Sequence, residues 1–88
     1  MKEKGIDWII GNIPIGYSEV VYNGRKYGLS RSDFNQGKSL KVYGEELGGN
    51  DFISFNYYLT EKGSLLKPCE MPQEKVEKFI LEMERTTS

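Results

Sequence analysis

Histidine is missing from this 88-residue chain, and cysteine occurs once. Without imidazole, the usual general base near neutral pH and the commonest transition-metal ligand are both gone. A lone thiol closes no internal disulfide, which points to a reducing cytoplasm and a fold without covalent staples. Long apolar runs are also lacking. No window reaches the length of a membrane span, and the apolar segment after the N-terminal lysines is too short for a secretory signal. Nor is there an excess of charge: twelve basic residues stand against thirteen acidic ones, a net charge of −1. No global field draws the chain to nucleic acid or to anionic lipid. Nothing in the sequence implies a cofactor or a metal.

What is present is glycine, tyrosine and alternation. Ten glycines and six tyrosines tilt the composition towards strands joined by tight turns. Residues 1–88 make one domain, because a chain of this size buries only roughly 60–65% of its unfolded surface and has material for one modest core. The sharpest local signal is Asn23-Gly24 between Tyr17–Tyr22 and Arg25–Ser30. It predicts a two-residue hairpin with a type I′ turn, whose two central residues both need positive φ. Pairing Tyr22 with Arg25 puts Val20, Tyr22, Tyr27 and Leu29 on one face, the core side, and Glu19, Val21, Lys26 and Ser30 on the other.

Arg31–Gly37 reads as a polar connection turning at Asn35-Gln36-Gly37. Lys38–Glu45 alternates again, with Leu40 and Val42 inward. Leu47-Gly48-Gly49-Asn50 then turns the chain into Asp51–Thr60, which the pattern makes the central strand. Ile53, Phe55, Tyr57 and Leu59 point one way there, and Phe52, Ser54, Asn56 and Tyr58 the other. Ser64–Cys69 predicts a shorter fifth strand, held to a sheet edge by Pro68.

Helical spacing brackets this β region. Ile6, Ile9, Ile10 and Ile13 form an apolar stripe, predicting a short helix over residues 3–12 closed by Pro14, with Trp8 as a packing anchor at its edge. Val76, Phe79, Ile80 and Met83 repeat the stripe behind Pro72, predicting a helix that ends near Arg85 before a frayed Thr86–Ser88 tail. The expected fold is α+β: an antiparallel four- to five-stranded meander with an N-terminal and a C-terminal helix packed on one face. A strongly curled barrel with helices at its ends is the alternative.

Chemistry is sparse. Cys69 precedes the second helix, where a helix start and Lys67 favour a thiolate, while the neighbouring Glu70 disfavours one. With no histidine or second cysteine beside it, a small buried hydrophobe is the plainer reading, and a thiol-dependent redox enzyme the sharper one. Glu45-Glu46 point to opposite sides of a strand, and Glu82/Glu84 lie on a solvated helix surface, so neither makes an acid–base pair. Gly48-Gly49-Asn50 leads into a strand rather than a helix, which makes it a turn and not a phosphate loop.

The outward face is richer. Lys26, Lys41, Tyr43, Phe52, Ser54, Asn56 and Tyr58 share it, mixing lysine with aromatic rings. Such a face suits a protein partner, self-association or single-stranded nucleic acid, the last disfavoured by the charge balance. The plainer expectation is that a helix, the curl of the sheet or a dimer partner covers it. The function expected first is therefore a small non-catalytic cytoplasmic binding or interaction domain.

Tyr22-Asn23-Gly24-Arg25, Glu45-Glu46-Leu47-Gly48-Gly49, Asp51-Phe52, Ser54 and Leu66-Lys67-Pro68-Cys69-Glu70-Met71-Pro72, with Val76 and Phe79, carry a resemblance over most of the chain. Together they are similar to a family of small bacterial proteins of unknown function, some of them labelled peptide methionine sulfoxide reductase. The resemblance implies a compact bacterial domain and names no catalytic residue. The Gly-Cys-Phe-Trp nucleophile motif of the first reductase class is absent, and one cysteine cannot supply the zinc-binding or resolving thiols of the second. In element order alone, four strands and a C-terminal helix also resemble the transcriptional-coactivator type of single-stranded DNA binder, a dimer, with no binding motif in common.

Overall fold

Asn23 and Gly24 turn the chain with φ of 56° and 76°, as a type I′ hairpin requires. The turn fixes the pairing of β1 (Gly16–Tyr22) with β2 (Arg25–Phe34), which runs from Tyr22 opposite Arg25 to Gly16 opposite Arg31. In this computed structural model, which describes residues 5–85, the meander continues through β3 (Ser39–Glu46), β4 (Phe52–Thr60) and β5 (Gly63–Pro68). Every pairing is antiparallel. The strands lie in the order β5-β4-β3-β2-β1, and a two-residue strand, β6 (Glu84–Arg85), adds to the free side of β1.

The sheet is open, with β5 and β6 as its outer members, so the barrel alternative is not realised. Nor is Asp51–Thr60 central: β4 lies one place in from the edge, and β2 and β3 hold the middle. Pro68, which has no amide proton to donate, ends the edge strand β5, where its missing donor costs no ladder bond.

Both helices, α1 (Ile6–Gly11) and α2 (Gln73–Glu82), contact each other on one side of the sheet. Residues 3 and 4 of the expected first helix and the Thr86–Ser88 tail lie outside the described residues. Ile10 and Ile13 on one side, and Val76, Phe79 and Ile80 on the other, are buried against Val20, Leu29, Val42, Ile53 and Phe55. Ile6, Ile9 and Met83 complete the stripes but are only partly buried. Each fully buried side chain of this size contributes about 1.5–3 kcal/mol through removal from water. Phe79 is the hub, with its ring 4.8 Å from Tyr22 and 5.0 Å from Tyr27.

Two segments depart from the sequence expectation. Arg31–Phe34 is strand, not connection. Arg31 and Asp33 occupy inward positions of β2, and their side chains form a two-pronged ion pair at 2.8 and 2.9 Å. The same guanidinium donates to the Ile13 carbonyl at 2.6 Å, which fastens the end of the α1 segment to the sheet. The second helix stops at Glu82, Pro72 is its cap rather than its first residue, and Glu84–Arg85 return to the sheet as β6.

Candidate interaction face

With both helices on the inner layer, the outward residues of five strands form one face that no described element covers. Register arranges these residues in rows across the sheet. The middle row runs Ser54, Tyr43, Ser30, Tyr17, and Cys69 joins it through an amide that donates to the Ser54 carbonyl at 2.9 Å. On one side lies Lys67, Asn56, Lys41, Ser32, and beyond it Leu65, Tyr58, Ser39, Phe34. On the other side lies Phe52, Glu45, Gly28, Glu19.

All six binding residues read from the sequence therefore fall on this face together with Cys69. Ser54 is its buried floor, Asn56, Tyr58 and Cys69 are half-buried, and Lys41, Tyr43 and Phe52 are exposed. The Tyr43 and Phe52 rings stack at 6.3 Å, and the Lys75 ammonium lies 5.8 Å from the Phe52 centroid. Lys26 sits at the far margin, where its carbonyl accepts from the Leu47 amide. Tyr17 lies across Gly28, whose bare Cα leaves room for it: a Cβ there would come within 2.6 Å of the phenol oxygen.

Tyr17, Phe34, Leu65 and Lys67 belong to the face but were not read from the sequence. Extending the hairpin register by one outward position was enough to find Tyr17. Phe34 was hidden because its segment looks like a loop, and the β5 residues because that strand carries little alternation.

The thiol is less suggestive in place. Strand alternation puts the Cys69 sulfur on the outer side, opposite the layer that holds α2, and its polar contact is the Asn56 amide, donating at 3.5 Å. Among the described residues no three His, Cys, Asp or Glu side chains are grouped to hold a metal ion. Glu46, expected to face away from Glu45, does so and pairs with Arg25 at 2.9 Å.

The inner layer carries two tyrosine–aspartate contacts that serve the fold. Tyr27 donates to Asp51 at 2.7 Å, and Lys75 donates to the other oxygen of that carboxylate at 2.7 Å. Burial and the Asp51 charge raise the Tyr27 phenol far above its ordinary range, while Lys75 and then Tyr27 hold Asp51 below the usual carboxylate value. At the other end Tyr57 donates to Asp7 at 2.6 Å, joined by Ser64 at 2.9 Å. This second pair borders a cleft of about 370 Å³, whose Arg31 is already committed to Asp33 and to main-chain carbonyls. A second, apolar groove of about 230 Å³ opens between α1 and α2 beside Trp8, Ile9, Leu81 and Met83.

No described helix is long and apolar enough to cross a membrane. Comparison of the chain with protein-family models, with curated proteins and with solved structures gave no match in any of the three.

Proposed function

We propose that this chain is a small non-catalytic interaction domain of the bacterial cytoplasm that holds its partner on the outer face of the sheet. One observation carries the reading: both helices pack on the inner layer, leaving Tyr17, Phe34, Tyr43, Phe52 and Leu65 exposed together on the opposite one. Aromatic rings on a rigid sheet are suited to anchoring a protein surface at little cost in side-chain entropy. The absence of histidine, the single cysteine and the separated carboxylates support a binding role over a catalytic one.

The test uses the full chain as bait. Replacing Tyr43 and Tyr58 by alanine is expected to abolish partner capture while thermal unfolding stays where it was. Undiminished capture by the folded double variant rejects the face as the site.

A second reading, single-stranded nucleic acid, is favoured by one feature: Lys41 and Lys67 flank Asn56 between rows that carry Tyr43 and Tyr58. Glu19 and Glu45 on the same face oppose it. Oligonucleotide binding that weakens steeply with salt is its expected signature, and no binding at low salt removes it.

A further inference from the structure

The charges on the outer face are ordered, and their order identifies a partner. Basic side chains, Lys41 and Lys67, stand in the row on one side of the Tyr43–Ser54 row, and acidic ones, Glu45 and Glu19, in the row on the other. The middle row is uncharged. Lys41 and Glu45 are exposed, and the ion pairs among the described residues, Arg25–Glu46, Arg31–Asp33 and Lys75–Asp51, leave both of them out. A surface made for an unrelated partner need not carry its own complement. This one does on β3, where Lys41 and Glu45 stand at equal distances either side of Tyr43.

Resting on the interaction-face reading, we propose that the partner is a second copy of this chain, docked face to face about a two-fold axis that runs across the strands along the Tyr43–Ser54–Ser30 row. Such an axis reverses strand direction and keeps each strand over its own counterpart. Lys41 of each copy then meets Glu45 of the other, giving two symmetric ion pairs from one kind of contact, as an isologous interface requires. Tyr43 and Ser54 lie on the axis and meet themselves. Phe52 falls over the other copy's Asn56, within the same strand. Lys26, one row beyond the acidic side, falls over the other copy's Phe34, where its stem and ammonium can cover the ring. Turning the copies about an axis along the strands instead would set lysine against lysine, so the charge order selects the first arrangement.

The size fits a reversible pairing. Strands spaced about 4.8 Å apart and side-chain rows about 6.7 Å apart give a face of about 500 Å² per copy. The resulting total of about 1,000 Å² lies at the lower limit for a specific interface, in the range of weak, transient complexes. Sheets stacked in this way keep their strand directions within about 30° of alignment, which preserves the row-to-row contacts near the centre.

The experiment is sedimentation equilibrium of the full chain over a range of concentrations, with thermal unfolding of each variant as a control for folding. The wild type is expected to move from monomer to dimer in the micromolar range. Lys41→Glu and Glu45→Lys, each placing like charges opposite one another twice per dimer, are expected to weaken pairing by about tenfold or more. The double variant, which restores opposite charges in reversed sense, is expected to return to within about threefold of wild type. Strictly monomeric wild type, single variants that pair normally, or a double variant no better than the singles each overturn the proposal. A monomer whose captured partner is still lost on replacing Tyr43 and Tyr58 overturns self-pairing alone; loss of neither overturns the face as well.

Discussion

At the scale of single residues, the contacts that matter most join elements distant in sequence through one carboxylate. Asp51 stands just before β4 and receives both the Tyr27 hydroxyl from β2 and the Lys75 ammonium from α2. These donors hold its pKa below the ordinary value near 3.8, with Lys75 the larger cause. A depressed folded-state pKa stabilises the fold fully above the unfolded value, and that stabilisation is lost as pH falls through the folded one. Asp33, held down by Arg31, acts in the same direction. Thermal melts of the wild type are therefore expected to drop between about pH 5 and pH 2, and those of Asp51→Asn to drop less over that interval. The Lys75–Asp51 pair is more than a third open to solvent on both sides, so its own part is no more than about 1 kcal/mol. Equal acid sensitivity in the two proteins removes Asp51 as a source of it.

At the scale of elements, legibility follows how much of each element's reason lies in its own sequence. The β1–β2 register was readable because Asn23-Gly24 admits one tight turn, and that turn fixes every pair behind it. The second half of β2 was not. Arg31 and Asp33 are strand residues only because a partner strand and their mutual ion pair accept them at inward positions, and alone they look like loop. Likewise β6 has two residues, too few for any periodicity, and exists because β1 offers an unpaired edge. The outward face was legible wherever strands alternated, and its charge order needed the cross-strand register that only the fold supplies. Turn chemistry can be tested against helix chemistry with one kind of substitution. Gly24 has φ of 76°, so Gly24→Ala is expected to cost about 1–2 kcal/mol. Gly11 ends α1 with open space where a Cβ would stand, so Gly11→Ala is expected to stabilise by up to about 1 kcal/mol. Urea unfolding of the two variants should show opposite signs, and the same sign in both contradicts these local assignments.

For the whole molecule, one sheet with one covered face accounts both for the stability of so short a chain and for its expected role. The layer of helices supplies a core from one side only. Solvent, or a partner, has to meet the other. β4 carries a direct comparison, because two phenylalanines on that strand point in opposite directions. Phe55 is 1% exposed beneath the helices, whereas Phe52 is 37% exposed on the outer face, lying against Tyr43 and Lys75. The same change, phenylalanine to alanine, therefore samples both sides of the sheet. Phe55→Ala is expected to cost about 3–5 kcal/mol, a large share of what a domain of this size possesses. Phe52→Ala is expected to cost about 1 kcal/mol or less, since it gives up an exposed ring contact and leaves no cavity. Denaturant midpoints of the two variants measure the difference at dilutions where the chain is monomeric. At concentrations where pairing occurs, wild type and Phe55→Ala should gain stability alike by mass action, so the deficit of Phe55→Ala stays where it was. Phe52→Ala should gain less and its deficit should widen, because only the outer ring would be buried by a second copy. Comparable losses at high dilution would mean that the two faces are equally covered within one chain.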